Sequence, residues 1–195
     1  MREPAEEVVA LAAELAARHV PGTRAPRVLD LGAGEGRHVV TLSDAGLDVV
    51  ALDRDVASAR AIVEVAPGTE FALHDLAHPL PYAGEGFAAV VLWSVLPHAD
   101  PALVPALLPE CGRVLAHGGV LLFNLIDPRD GRRDPETHAR RADVPRGPDH
   151  FHARADVDPH LWWGKIADAR LVRAPLRGRP DLDPVAEWRL RVVKH

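Results

Sequence analysis

The sequence predicts an α/β protein built on a mostly parallel sheet with helices on both faces. Three observations carry that expectation. Five short apolar runs alternate with stretches of helical periodicity, a glycine-rich turn follows the first run directly, and acids stand at or just past the ends of the first three, at Asp30, Asp53 and Asp75. Strands covered on both faces read as near-continuous apolar runs, and parallel neighbours need a crossover that is usually a helix.

The elements follow in order. From Glu3 to His19, Val8, Leu11, Ala12, Leu15 and Ala16 recur at helical spacing, with acids early and Arg18 and His19 late to suit the helix dipole. Strands are then expected at Arg27 to Leu31, Asp48 to Asp53, Glu70 to His74, Phe87 to Trp93 and Val120 to Ile126. Helices are expected near Arg37 to Ala45, near Val56 to Val65 with Asp55 as its cap, and near Pro101 to His117. A helix near Val157 to Ile166 and two closing strands, Ala169 to Pro175 and Ala186 to Lys194, complete the chain. Between them, Asp127 to Pro148 holds six arginines and five acids and is broken by prolines, with Asp134-Pro135-Glu136 reading as the cap and first turn of a short helix. This segment leaves the carboxyl end of the fifth strand, where open α/β sheets bind ligands, and is placed to be a lid.

At 195 residues and 47% hydrophobic the chain is long enough for a single domain with a substantial core. Its parts are an N-terminal helical cap (1–22), a ligand-binding core (27–126), the candidate lid (127–148) and a C-terminal helix and strands (149–195). A formal charge of −5 argues against a surface that tracks phosphates, so no nucleic-acid partner is expected. Arginine supplies 21 of the 23 basic residues, the others being Lys165 and Lys194, a bias of composition that carries no function. Cys111 alone cannot make a disulfide framework and suggests a reducing compartment, and no apolar segment approaches signal-peptide or transmembrane form. A cytoplasmic protein without a membrane partner, monomeric or homodimeric, is the expectation.

The turn itself is the most informative stretch. In Val28 to His38, VLDLGAGEGRH, Gly32, Gly34 and Gly36 remove the Cβ atoms that would hold a ligand off the backbone, and the following helix aims its free N–H groups into the same space. A dinucleotide loop reads G-x-G-x-x-G and seats a pyrophosphate, whereas here Glu35 lies inside the loop and Asp30 just before it. Two carboxylates suit an ammonium group better than a phosphate. S-adenosylmethionine, which has an amine and a sulfonium and no phosphate, fits these charges better than NAD. Asp53, twenty-three residues after Asp30, is expected to accept both ribose hydroxyls. Asp75 is expected to accept the adenine amine, beside the Leu76 N–H.

Through VLDLGAGEGRH, VVALDRD, HDLAHPLPYAGEGFAAVVLWSVLPH and ECGRVLAHGGVLLFNL, the chain resembles the class I S-adenosylmethionine-dependent methyltransferases over roughly Arg27 to Ile126. Its order of elements is similar to the compact tellurite-resistance and small-metabolite type. The resemblance implies a Rossmann-like three-layer sandwich on a seven-stranded, mostly parallel sheet with an antiparallel last strand. It also implies cofactor contacts from Asp30, Gly32, Ala33, Gly34, Gly36, Asp53, Arg54, Asp75, Leu76 and Trp93. Ala88 departs from the family, which often has an acid there, at a place usually remote from the methyl group.

Methyl transfer is an in-line displacement that needs donor and acceptor held in line, so a base depends on the acceptor. Acceptor-side candidates are Trp93, Ser94 and His98 after the fourth strand, Asn124 and Asp127 after the fifth, and His150 and His152 beyond the lid. His98 is the first choice as catalytic base, since imidazole takes a proton near neutrality. His150 and His152 would share a face if Phe151 lay in a strand, but two histidines without a third ligand of firm spacing make no metal site, and none is expected. Of Trp162 and Trp163, one is expected in the core and the other beside the substrate pocket. The expected function is methyl transfer from S-adenosylmethionine to a small-molecule acceptor. An NAD(P)-linked oxidoreductase of related fold and a non-catalytic adenosine-ligand binder are the alternatives.

Overall fold

The computed structural model describes residues 3–144, 148–176 and 179–195. One sheet of seven strands runs through the molecule in the order β3-β2-β1-β4-β5-β7-β6. Strands β1 (Arg27–Leu31), β2 (Asp48–Asp53), β3 (Glu70–Leu73), β4 (Phe87–Leu92) and β5 (Leu115–Ile126) are parallel. β7 (Val185–Lys194) lies antiparallel between β5 and β6 (Gly164–Ala174). The expected mixed sheet with an antiparallel last strand is the one observed.

Helices α1 (Glu6–Arg18), α2 (Arg37–Asp44) and α3 (Val56–Val65) bury Val8, Leu11, Val39, Leu42 and Ile62 with Val28, Val49 and Val91 in one cluster. On the opposite face α4 (Val104–Val114) buries Val104, Leu107, Leu108 and Cys111 against Leu29, Val90, Leu121 and Phe123. The side chains of the strands thus supply two cores at once, which is why the strands read as continuous apolar runs. As the sequence predicts, Asp55 caps α3, its carboxylate accepting the Ala57 N–H at 2.8 Å.

Three local expectations are corrected. The helix expected over Pro101 to His117 is a short 3-10 turn followed by α4, and it ends at Val114; Leu115 turns extended and pairs with Phe87. Pairing then skips from Phe87↔Leu115 to Ala89↔Val120, with the extra residues carried through Gly118 at φ 74°. Sheet pairing has outcompeted the helical run there.

The helix expected over Val157 to Ile166 is also replaced. A four-residue turn α5 (Arg154–Val157) and a 3-10 turn through Leu161 lead straight into β6. Packing explains it. The Trp163 ring lies so close over Gly112 of α4 that a Cβ there would stand 2.3 Å from it, and this buried contact fixes the chain end at which the β6-β7 hairpin starts. Trp162, by contrast, is 75% exposed. Lastly, Asp134-Pro135-Glu136 is a turn rather than a helix: Asp134 accepts the Glu136 and Thr137 N–H groups, and an Arg133↔Arg140 bridge closes it.

Segment 127–144 is anchored at its start by buried acids. The buried Asp127 forms paired bonds to Arg129 and accepts the Trp188 indole N–H at 2.7 Å, and the buried Asp130 does the same for Arg132 and for the Ala186 N–H. Arg179 reaches back to Asp143 at 2.7 Å. These bonds strap the segment to the start of β7.

Candidate functional site

Two adjoining cavities open at the carboxyl ends of the parallel strands. The first, about 410 Å³, is lined by Gly32 behind β1, Asp53 and Arg54 behind β2, Asp75 and Leu76 behind β3, and His98 in the turn after β4. Asp53 and Asp75, 22 residues apart in sequence, thus face one space, because parallel strands deliver their carboxyl ends to one edge.

The loop is shaped from below. Gly32 sits at φ +67° with its Cα against Val95, where a Cβ would come within 2.6 Å of the Val95 methyl. Gly36, at φ +81°, precedes α2 and backs onto Ile62 and Val65 of α3. Asp53 holds the loop as well as facing the cavity: its carboxylate accepts the Gly34 N–H at 2.8 Å and the Asp55 N–H at 2.9 Å. The Gly32 and Ala33 N–H groups both go to the Leu52 carbonyl.

Asp30 is the anomaly. It is 1% exposed, and its Oδ2 has no hydrogen-bond partner. Burial pushes this carboxyl up to about 7, with Arg37 opposing and Asp53 adding to the rise. A buried carboxylate oxygen without a donor is costly in isolation and is what an incoming ammonium group would satisfy. The sequence-predicted cofactor set therefore divides. Gly32, Asp53, Arg54, Asp75 and Leu76 line the cavity, whereas Asp30, Ala33, Gly34 and Gly36 build the loop beside it. Trp93 does neither. It is buried in the α1–α3 core with the Arg189 guanidinium 5.9 Å over its ring.

The second cavity, about 540 Å³, shares Ser94 and His98 with the first. Its other walls include Asn124 and Ile126 from β5, Arg132 and Arg140 from the strapped segment, and Glu187 from β7. Ser94 is held at φ 60° with its N–H donated to the Asn124 side chain at 2.6 Å, so β5 fixes the partition between the cavities. Burial raises the Glu187 carboxyl above the usual range. Trp162 lines neither cavity.

Of the remaining histidines, His152 is buried with its Nε2 against the Leu96 carbonyl at 3.1 Å, and burial lowers its pKa. Among the described residues no group of three or more histidine, cysteine or acidic side chains could hold a metal ion. Sequence reasoning missed Val95, Arg132, Arg140 and Asp149. No local signal marks them: Val95 sits in the turn after β4, and Arg132, Arg140 and Asp149 lie in stretches held by bonds to residues distant in sequence.

Residues 28–119 match a methyltransferase-domain family model. An uncharacterized methyltransferase of Mycobacterium tuberculosis is 37% identical over 109 residues, 55% of this chain but only 43% of the relative, and one of Mycobacterium bovis matches equally. Among solved structures, TehB from Haemophilus influenzae superposes with a TM-score of 0.72 at 17% identity, over 98% of this chain and 63% of that one. A Methanosarcina mazei S-adenosylmethionine-dependent methyltransferase gives 0.66 at 19% identity, over 88% and 93%. Magnesium protoporphyrin IX methyltransferase from Synechocystis with bound S-adenosylmethionine gives 0.63 at 19%, over 97% and 79%. Residues 28–119 are thus similar to a methyltransferase domain, the chain spans less than half the length of the curated relatives it matches, and it shares the fold of solved S-adenosylmethionine-dependent methyltransferases.

Proposed function

We propose that this protein transfers a methyl group from S-adenosylmethionine to a small-molecule acceptor. The observation that carries the reading is the pair of cavities meeting at Ser94 and His98, since a displacement between two bound molecules needs two pockets with one shared wall. When bound, the cofactor supplies an electrophilic methyl on a sulfonium.

The chain's own residues bind and orient. Asp30 offers an unpaired carboxylate oxygen to the amine, while Gly32, whose missing Cβ makes room for Val95, forms the cavity wall with it. Asp53 accepts from the ribose, and Asp75 with the Leu76 N–H receives the adenine. Arg54 closes the rim. The second cavity takes the acceptor, and its charged lining favours a small polar molecule over an extended apolar one. His98, common to both, stands where a proton leaving the acceptor can be received.

Calorimetric titration with S-adenosylhomocysteine, S-adenosylmethionine and NAD tests the reading. Binding of the first two and silence with NAD is expected. Heat with NAD and none with S-adenosylhomocysteine would sink it.

A further inference from the structure

Resting on the methyltransferase reading, we propose that Asp149 is a positioning residue that holds His98 as a proton acceptor, and that the acceptor is accordingly a protic nucleophile, one whose reacting atom carries a hydrogen. Asp149 Oδ2 lies 2.9 Å from His98 Nδ1. The hydrogen bond from His98 keeps the Asp149 carboxyl below the usual carboxylate range, so it is an acceptor only, and Nδ1 must carry the hydrogen. In the neutral ring Nε2 then keeps its lone pair, and that ring lines both cavities.

The contact joins residues 51 apart in sequence, and the backbone is arranged to make it. The Asp149 and His150 N–H groups both donate to the Pro97 carbonyl, at 2.8 and 3.0 Å, and the His152 ring meets Leu96 at 3.1 Å. The chain returning from the strapped segment is therefore stitched to the very turn that carries His98. Arg140 stands 3.9 Å from the other Asp149 oxygen, on the acceptor side. Both His98 and Asp149 are half-exposed, which gives an abstracted proton a way out to water.

Such a pair has work to do only for some acceptors. A thioether or tertiary amine is methylated without losing a proton. A hydroxyl, thiol or protonated amine must lose one, and the step then balances as follows. The acceptor's electron pair forms the bond to the methyl carbon, the carbon–sulfur bond's pair returns to sulfur, and the acceptor's proton passes to His98 Nε2.

The pair is tested on the full chain by long-range ¹H–¹⁵N correlation of the histidine rings at a pH where they are neutral, with His98→Gln assigning the resonance among the 11 histidines. A single tautomer, Nδ1–H with unprotonated Nε2, is expected in the wild type, lost in Asp149→Ala and recovered in Asp149→Glu. S-adenosylhomocysteine affinity should be unchanged in Asp149→Ala, which also shows that the variant is folded. An Nε2–H tautomer in the wild type, or a tautomer indifferent to Asp149→Ala, overturns the pairing. With S-adenosylmethionine present, a protic probe that is turned over should lose about 10²–10⁴-fold in kcat in His98→Gln, and less in Asp149→Ala with KM little changed. Methylation of a thioether probe at a rate untouched by His98→Gln overturns the acceptor class. A wild type that binds no S-adenosylhomocysteine refutes the methyltransferase reading instead.

Discussion

Asp53 has two duties, and separating them is the sharpest test of the cofactor site. Its carboxylate accepts the Gly34 N–H at 2.8 Å and the Asp55 N–H at 2.9 Å, while the same group lines the first cavity. Asp53→Ala removes a charged acceptor from the ribose. A hydrogen bond to a charged group contributes about 1.5–3 kcal/mol, so S-adenosylhomocysteine affinity should fall by roughly one to two powers of ten. The two loop N–H groups also lose their partner. Because the site is only partly buried, water can replace it, and the cost to apo stability should be about 1–2 kcal/mol rather than the full value of both bonds.

Asp55→Ala is the control. It deletes the α3 cap on the Ala57 N–H, at about 0.5–2 kcal/mol of stability, and should leave affinity within about twofold. The two variants are therefore expected to lose similar stability and very different affinity, read by denaturant melts and calorimetry on the same preparations. Asp53→Ala binding as tightly as wild type, or Asp55→Ala binding worse than Asp53→Ala, would refute the assignment.

Two further outcomes are expected. Burial holds the Asp30 carboxyl up at about 7 and the His38 imidazole down at about 4, so the two act in opposite directions on apo stability. The raised Asp30 favours the fold at low pH and loses that contribution as pH rises from about 4 to 7, whereas His38 loses its contribution as pH falls from about 6.5 to 4. Asp30→Asn should therefore unmask a stability that rises with pH, and His38→Gln one that falls; melts of either variant with the opposite slope would contradict the placement. Replacing residues 133–144 with a Gly-Ser linker should leave S-adenosylhomocysteine affinity nearly intact and lower turnover, since Arg140 lines only the second cavity. Unchanged turnover on a known acceptor would make the segment a bystander.

What could be read from the sequence follows from how locally each feature is determined. The surroundings of the first cavity were legible because a parallel sheet converts chain order into position. An acid at each strand end must reach the same edge, so Asp53 and Asp75 could be placed without knowing any contact between them. Trp93 fails by that same logic carried one residue too far. Side chains at a strand end alternate between faces, and Trp93 turns into the α1–α3 core under Arg189 while the next residue, Ser94, faces the cavities. The Val157 to Ile166 helix failed for a tertiary reason, the Trp163 ring seated on Gly112, which no periodicity could reveal.

The acceptor half was the least legible, and the physical cause is specific. Part of its wall comes from the 127–150 stretch, whose acids find partners far along the chain: Asp127 with Trp188, Asp130 with the Ala186 N–H, Asp143 with Arg179, and Asp149 with His98. Nearly balanced charge over Asp127 to Pro148 is the composition of an exposed loop, yet Asp127 and Asp130 are buried and fully bonded. These two carboxylates are buried at tolerable cost because donors meet both oxygens of each. The segment's order is thus tied to β7, whose Trp188 and Ala186 hold it and whose Glu187 lines the second cavity. Divergence in acceptor choice among chains sharing this cofactor loop is then expected to track changes in β7 and in 127–150 together, since altering either alone leaves buried acids without partners.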